Sequence, residues 1–116
     1  MINNNKIFLI LLIAFFCFPL NNFAAEILQV RSSTQLQIGD RNRSYTVKLA
    51  CIEVEPEYEL LTTKWLKSNL QRRTRVNLKP EGISDGMLIA RVIPIDSKID
   101  LGESLHQQGL AKLSCL

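Results

Sequence analysis

From Glu26 onward the chain is written largely in two-residue alternation. Ile27, Leu28 and Val30 stand among polar neighbours over residues 26–31, and Leu36 and Ile38 do so over 34–38. Tyr45, Val47, Leu49 and Cys51 follow at strict period two over 44–52. That period sends successive side chains to opposite faces of a strand, so the three runs predict a meander of half-buried strands. Gly39-Asp40 and Arg41-Asn42-Arg43 form the turn before the third. Pro56 ends the alternation, and its fixed φ and missing N–H suit the first turn of a helix. Residues 57–70 then place Leu61, Trp65, Leu66 and Leu70 on one side, with Glu59, Thr62, Lys64 and Lys67 mostly away from it.

Beyond this helix, residues 74–78 and 87–95 predict two further strands, the second apolar through Met87, Leu88, Ile89, Ala90, Val92 and Ile93. Residues 80–86 are the loop between them. Asp100 with Glu103 three positions on has the form of a capping box, and Gly109 stands where a left-handed helix end is expected. Residues 110–115 predict a last short strand. Three strands, a helix, two strands and a short helix predict a mainly β domain with helices (α+β), a five-stranded Greek-key barrel of the OB type. The chain shows no internal repeat.

The first 25 residues have a different character. One lysine, Lys6, precedes an unbroken apolar run at 7–18; Pro19 then ends it ahead of Asn21, Asn22, Phe23, Ala24 and Ala25. A charged start, an apolar centre and a small-residue exit are the parts of a secretory signal peptide. The run falls short of the roughly 20 apolar residues of a membrane span. An uncleaved anchor is the alternative, because Phe23 is large where a cut after Ala25 wants a small residue. Cys17 reads as apolar filler of the run. Residues 1–25 are thus expected to be a leader or anchor and residues 26–116 one domain. The expected place is outside the cytoplasm: periplasmic, secreted or lumenal.

Composition narrows the function of that domain. Fourteen Lys and Arg face eleven Asp and Glu; without Lys6 the excess is two positive charges, too few to mark a dedicated nucleic-acid binder. All five phenylalanines lie at or before Phe23, leaving Tyr45, Tyr58 and Trp65 as the domain's aromatic side chains. A single-strand groove needs more stacking platforms than that. The domain's two cysteines, Cys51 and Cys115, fall on strands that can be neighbours in one barrel. In an oxidising compartment they are expected to form a disulfide, the alternative being two buried thiols. His106, Ser104 and Ser114 lack the partners that metal or nucleophile chemistry requires.

Residues 48–57, KLACIEVEPE, resemble the active-site strand of the staphylococcal nuclease (thermonuclease) family, Arg-Leu-x-x-Ile/Val-Asp-x-Pro-Glu. Residues 85–90 are similar to its Asp-x-x-Gly-Arg-x-Leu-Ala, and residues 99–111 to its Val-Asn-x-x-Leu-Val-x-x-Gly-Leu-Ala. The three blocks keep their order across nearly all of the chain after Ala25. The resemblance implies the staphylococcal nuclease-like barrel. It also implies a phosphodiesterase site with Ca²⁺ held by two aspartates, a glutamate that activates water and two arginines that neutralise the phosphate. Carried over one residue at a time, Thr34 stands at the first metal ligand and Glu53 at the second. Glu57 stands at the general base if one residue, such as Glu55, is inserted. Lys48 replaces the first arginine and Met87 the second, with Arg91 four residues from Met87 on the same strand face. Members of the family usually continue past Gly-Leu-Ala into a further helix, so this chain reads as a shortened member.

These substitutions predict an interaction module with no resident cofactor, the alternative being a weak Ca²⁺-dependent nuclease that uses Glu53 and Glu57. A second alternative is an accessory subunit of an envelope or membrane complex. Arg72, Arg73, Arg75 and Arg91 are the candidate binding residues, alongside Lys48. Their expected partner is a protein or an anionic ligand, a membrane surface included, with weak nucleic-acid binding at most.

Overall fold

In the computed structural model, residues 25–115 are described. The leader reading, except for Ala25, and the reading of Cys17 lie outside the described residues. The chain forms β1 (Ala25–Val30), β2 (Gln35–Asp40), β3 (Arg43–Leu49), β4 (Ile52–Glu53), a 3₁₀ turn (Pro56–Tyr58) and α1 (Glu59–Asn69). It continues as β5 (Arg75–Ser84), β6 (Met87–Pro94), α2 (Leu101–Gln107) and β7 (Lys112–Leu113). The five long strands close into a barrel in the order β1-β2-β3-β6-β5. Neighbours are antiparallel except β3 and β6, which run parallel and close the ring. The fold is therefore α+β, around a closed five-stranded barrel consistent with the OB type.

The expected alternation sets the core. Leu36 and Ile38 of β2, Val47 and Leu49 of β3, and Ala90 and Val92 of β6 all point inward and are buried. On β1 the buried residues are Ala25, Ile27 and Val30, and the step of three from Ile27 to Val30 is one that strict alternation forbids. A bulge between Ile27 and Gln29 supplies the extra residue and resets the parity. Leu66, Leu70 and Leu105 of the helical segments close the core from outside the barrel. α2 starts and ends as its sequence predicts. The Asp100 side chain accepts from the Glu103 amide at 3.2 Å, and the Leu110 amide returns to the Leu105 carbonyl at 2.9 Å past a left-handed Gly109.

Three expectations need correction. Residues 80–84 of the expected loop are strand: β5 runs to Ser84 with a register shift between Pro80 and Gly82. Asp85 and Gly86, both at positive φ, then make a two-residue hairpin turn. A bulge accommodates the proline, which has no N–H for the ladder. The third strand does not reach Ile52. Cys51 at φ 65° turns the chain, so β4 leaves the barrel and pairs with β7 instead. Finally, α1 turns Thr62 and Leu66 inward and leaves Leu61 56% exposed. Residues 62, 66 and 70 lie four apart on the buried stripe, and 61 falls beside it.

Candidate functional site

The register of β3 and β6 gathers three of the residues singled out above. Lys48 is exposed near the end of β3, opposite Gln35 on β2 and Ile89 on β6. Thr34 directly precedes Gln35, and its carbonyl accepts from the Leu49 amide at 2.8 Å. Met87 and Arg91 flank Ile89 by two residues on either side, so both share its outward parity. Lys48, Met87 and Arg91 therefore lie on one outer patch across β3 and β6, while Thr34 sits in the turn before β2 and is not placed on that face by the register.

Arg91 is already engaged there. Its Nε donates to Glu81 Oε1 at 2.9 Å, and its Nη2 lies 3.7 Å from Cys51 Sγ. Cys51 is bonded to Cys115, as expected, across 64 residues of chain. Beside this bond the Ser114 amide donates to the Cys51 carbonyl at 2.8 Å. The bond fastens β7 to the corner between β3 and β4.

The acidic residues lie past that corner. Glu53 and Glu55 line a recess of about 230 Å³ together with Tyr58, Leu110 and Lys112. Lys112 Nζ reaches Glu55 Oε1 at 2.5 Å. That hydrogen bond is the main cause holding the Glu55 carboxyl below its ordinary value, and a bond to Glu57 assists. Glu57, in the 3₁₀ turn, is pushed up by the same bond to Glu55 and then by the charge of Glu55.

Calcium prefers six to eight oxygen ligands, with carboxylates prominent among them. Thr34 offers a hydroxyl, and Glu55 is paired with Lys112. Among the described residues no three His, Cys, Asp or Glu side chains form a group that could hold a metal ion. The residues present do not fit the ion that the family resemblance implies.

One pairing had no counterpart in the sequence reading. Ser33, 2% exposed in the β1–β2 turn, donates to Glu59 through its amide at 3.1 Å and through a very short bond from its hydroxyl. Glu59 at the start of α1 thus clamps the loop in which the family places its first metal aspartate. The two residues stand 26 apart in sequence, and no local pattern announces such a contact.

Arg72, Arg73 and Arg75 lie elsewhere. They follow α1 and are exposed, and Arg75 pairs with Glu26 at the start of β1. β5 is not adjacent to β3, so this cluster and Lys48 belong to different regions of the surface. His106 is exposed, with Nδ1 3.1 Å from the Ala111 carbonyl. Trp65 is half-buried against the core. Set beside known proteins, the chain matches no family model and no curated protein.

Proposed function

We propose that this chain is a degenerate relative of the staphylococcal nuclease-like family that works outside the cytoplasm as a binding module rather than as an efficient nuclease. The observation that carries this reading is the engagement of Arg91, the guanidinium of the outer patch. Met87 brings no charge, and Arg91 is committed to Glu81 and to the sulfur of Cys51. Lys48 remains, as a point charge without the planar fork that grips a phosphate in two places. Glu57, the residue matched to the general base, stands exposed in the 3₁₀ turn beyond the corner at Cys51. The barrel order and the three sequence blocks support the family, and the leader-like run at 7–18 supports the location.

By analogy with a lost oxyanion-hole donor, one missing arginine costs on the order of 10²–10³ in rate. A lost metal carboxylate adds to that. Hydrolysis of single-stranded DNA and RNA is therefore expected near background with Ca²⁺ present. A Thr34→Asp/Met87→Arg double variant is expected to be the more active protein. Robust turnover by the unaltered chain, abolished by chelator and by Glu57→Gln, would overturn the proposal.

A further inference from the structure

Glu26, the second residue of β1, has Gly39 of β2 as its partner on one side and Arg75 of β5 on the other. The turn that follows β2 and the connection that precedes β5 therefore both flank the point where the chain enters the barrel. The turn contributes Arg43, opposite Asp40. The connection contributes Arg72 and Arg73, the latter held by a 2.6 Å bond from its amide to the Ile27 carbonyl. Arg43, Arg72, Arg73 and Arg75 are all exposed. Among the described residues none of the four side chains forms an ion pair or a hydrogen bond. The acids nearby, Glu26, Asp40 and Asp96, number fewer than the arginines. Ile95, 38% exposed, donates its amide to the Arg75 carbonyl and sets an apolar side chain beside them. Glu53, Glu55 and Glu57 precede the other end of α1, an eleven-residue helix about 16 Å long.

The same point of entry is tied to the apolar run. Six residues separate Phe18 from Ala25, and an extended chain over that interval reaches about 25 Å at most. Ala25 is already the first residue of β1, 2% exposed and paired with Val76. If the run at 7–18 is held in a bilayer, the domain is leashed by the end that carries these arginines.

We propose that, with residues 7–18 retained as the uncleaved anchor, Arg43, Arg72, Arg73 and Arg75 dock the barrel on the anionic headgroups of the bilayer. Basic side chains on a short leash at an anionic surface gain from the surface potential with no need of a shaped pocket. The domain has few aromatic side chains to stack nucleic-acid bases. This inference stands apart from the nuclease question, since either an active or an inactive barrel can be docked, and the two tests fail separately.

Trp65, the one tryptophan of the chain, lines a recess with Gln71 and Thr74 and so reports on this end of the domain. The full chain is reconstituted in vesicles of phosphatidylcholine, with or without phosphatidylglycerol, each carrying a dansyl-headgroup lipid as energy acceptor. Transfer from Trp65 is expected to be stronger on the anionic vesicles and to fall as salt is raised. At about fivefold per arginine, Arg72→Ala/Arg73→Ala/Arg75→Ala should shift the docked-to-free ratio roughly 100-fold. The corresponding triple lysine variant should keep the docked state, because a lipid surface reads charge rather than the guanidinium fork. Equal transfer on the two vesicle types, or an unchanged alanine variant, overturns the proposal. So does equal loss in the lysine variant, which would indicate a bidentate site, or suppression by inorganic phosphate at constant ionic strength, which would indicate a pocket for free anions. Displacement from anionic vesicles by single-stranded nucleic acid, or isolation from the native host solely as a soluble form lacking residues 1–25, would overturn it as well.

Discussion

Removing the Cys51–Cys115 bond is expected to cost the domain about 4 kcal/mol. The two residues stand 64 apart, and cross-linking a loop of that length withdraws about 14 cal/mol/K from the unfolded chain, close to 4 kcal/mol at 25 °C. Little in the native state would make up the loss. β7 is held to β4 through two residue pairs, and the Lys112–Glu55 ion pair is exposed and screened by solvent. Domains of this size are stable by about 5–15 kcal/mol in total, so the loss is a large share. It corresponds to a fall in Tm on the order of 20 °C. The variant to compare with the oxidised protein is Cys51→Ala/Cys115→Ala. Alanine at position 51 meets the same left-handed backbone, φ 65°, that cysteine already occupies. Urea unfolding followed by far-UV circular dichroism supplies both the midpoint and the slope, and the slope should rise because the uncrosslinked unfolded chain exposes more surface. Hydrogen exchange adds a local readout: the Ser114 amide should lose protection well before the barrel amide of Leu49. A double variant within about 1 kcal/mol of the oxidised protein, with an unchanged slope, would refute the loop-closure reasoning.

Three further outcomes follow from single contacts. Gly102→Ala should destabilise by about 1–3 kcal/mol, although alanine normally improves a helix. Its Cβ would stand 2.7 Å from Ile52 Cγ2 and 3.1 Å from Asp100 Oδ2, and a rise in Tm would show that α2 has room to move. Ser33→Ala should cost about 1–2 kcal/mol by leaving Glu59 without its hydroxyl donor, whereas Ser33→Thr, which keeps the hydroxyl, should cost less; equal losses would assign the effect to packing. In a carboxyl NMR titration Glu55 should titrate below the ordinary 4.5 and Glu57 above it. Glu55 then contributes stability that is present above its unfolded value and lost as pH falls through its lowered folded value. Glu57 contributes in the opposite sense, favourably in acid and lost as pH rises through its raised value. Lys112→Met should bring Glu55 back up, and a Glu55 midpoint above that of Glu57 would refute the assignment.

What could be read in the sequence, and what could not, divides along the range of the interactions. The barrel strands were legible because one face of each is buried, which forces the period of two at Leu36, Ile38, Val47 and Leu49. Both ends of α2 were legible because Asp100 and Gly109 act on the backbone within a few residues. The extension of β5 was missed where Pro80 and Gly82 read as loop, though Asp85-Gly86 carried a hairpin signal that the adjacent apolar run should have brought out. Leu61 was misplaced because an amphipathic stripe leaves its edge open by one residue. The clamp between Ser33 and Glu59 and the capture of Arg91 by Glu81 arise from tertiary contact alone. Residue-by-residue matching therefore named candidate residues and left open which of their charges were already engaged.

The corner at Ala50 and Cys51 explains why those charges were engaged. The Ala50 amide still bonds to the Ala90 carbonyl at 2.9 Å, so the chain leaves β6 only at Cys51. The left-handed turn at that residue sends Ile52 and Glu53 away from the barrel to pair with β7. Glu53 consequently faces Lys112, and Glu55 meets the same lysine. The turn also leaves the sulfur of Cys51 beside the guanidinium of Arg91, the strand neighbour best placed to stand in for the charge that Met87 lacks. One backbone decision thus separates the acids from the outer patch and engages its arginine, while the disulfide holds the corner closed. Placing Asp at position 34 and Arg at position 87 adds those charges without moving that corner. Under the proposed nuclease-like reading, activity in such a variant would measure how far the missing groups, rather than the path of the chain, limit hydrolysis.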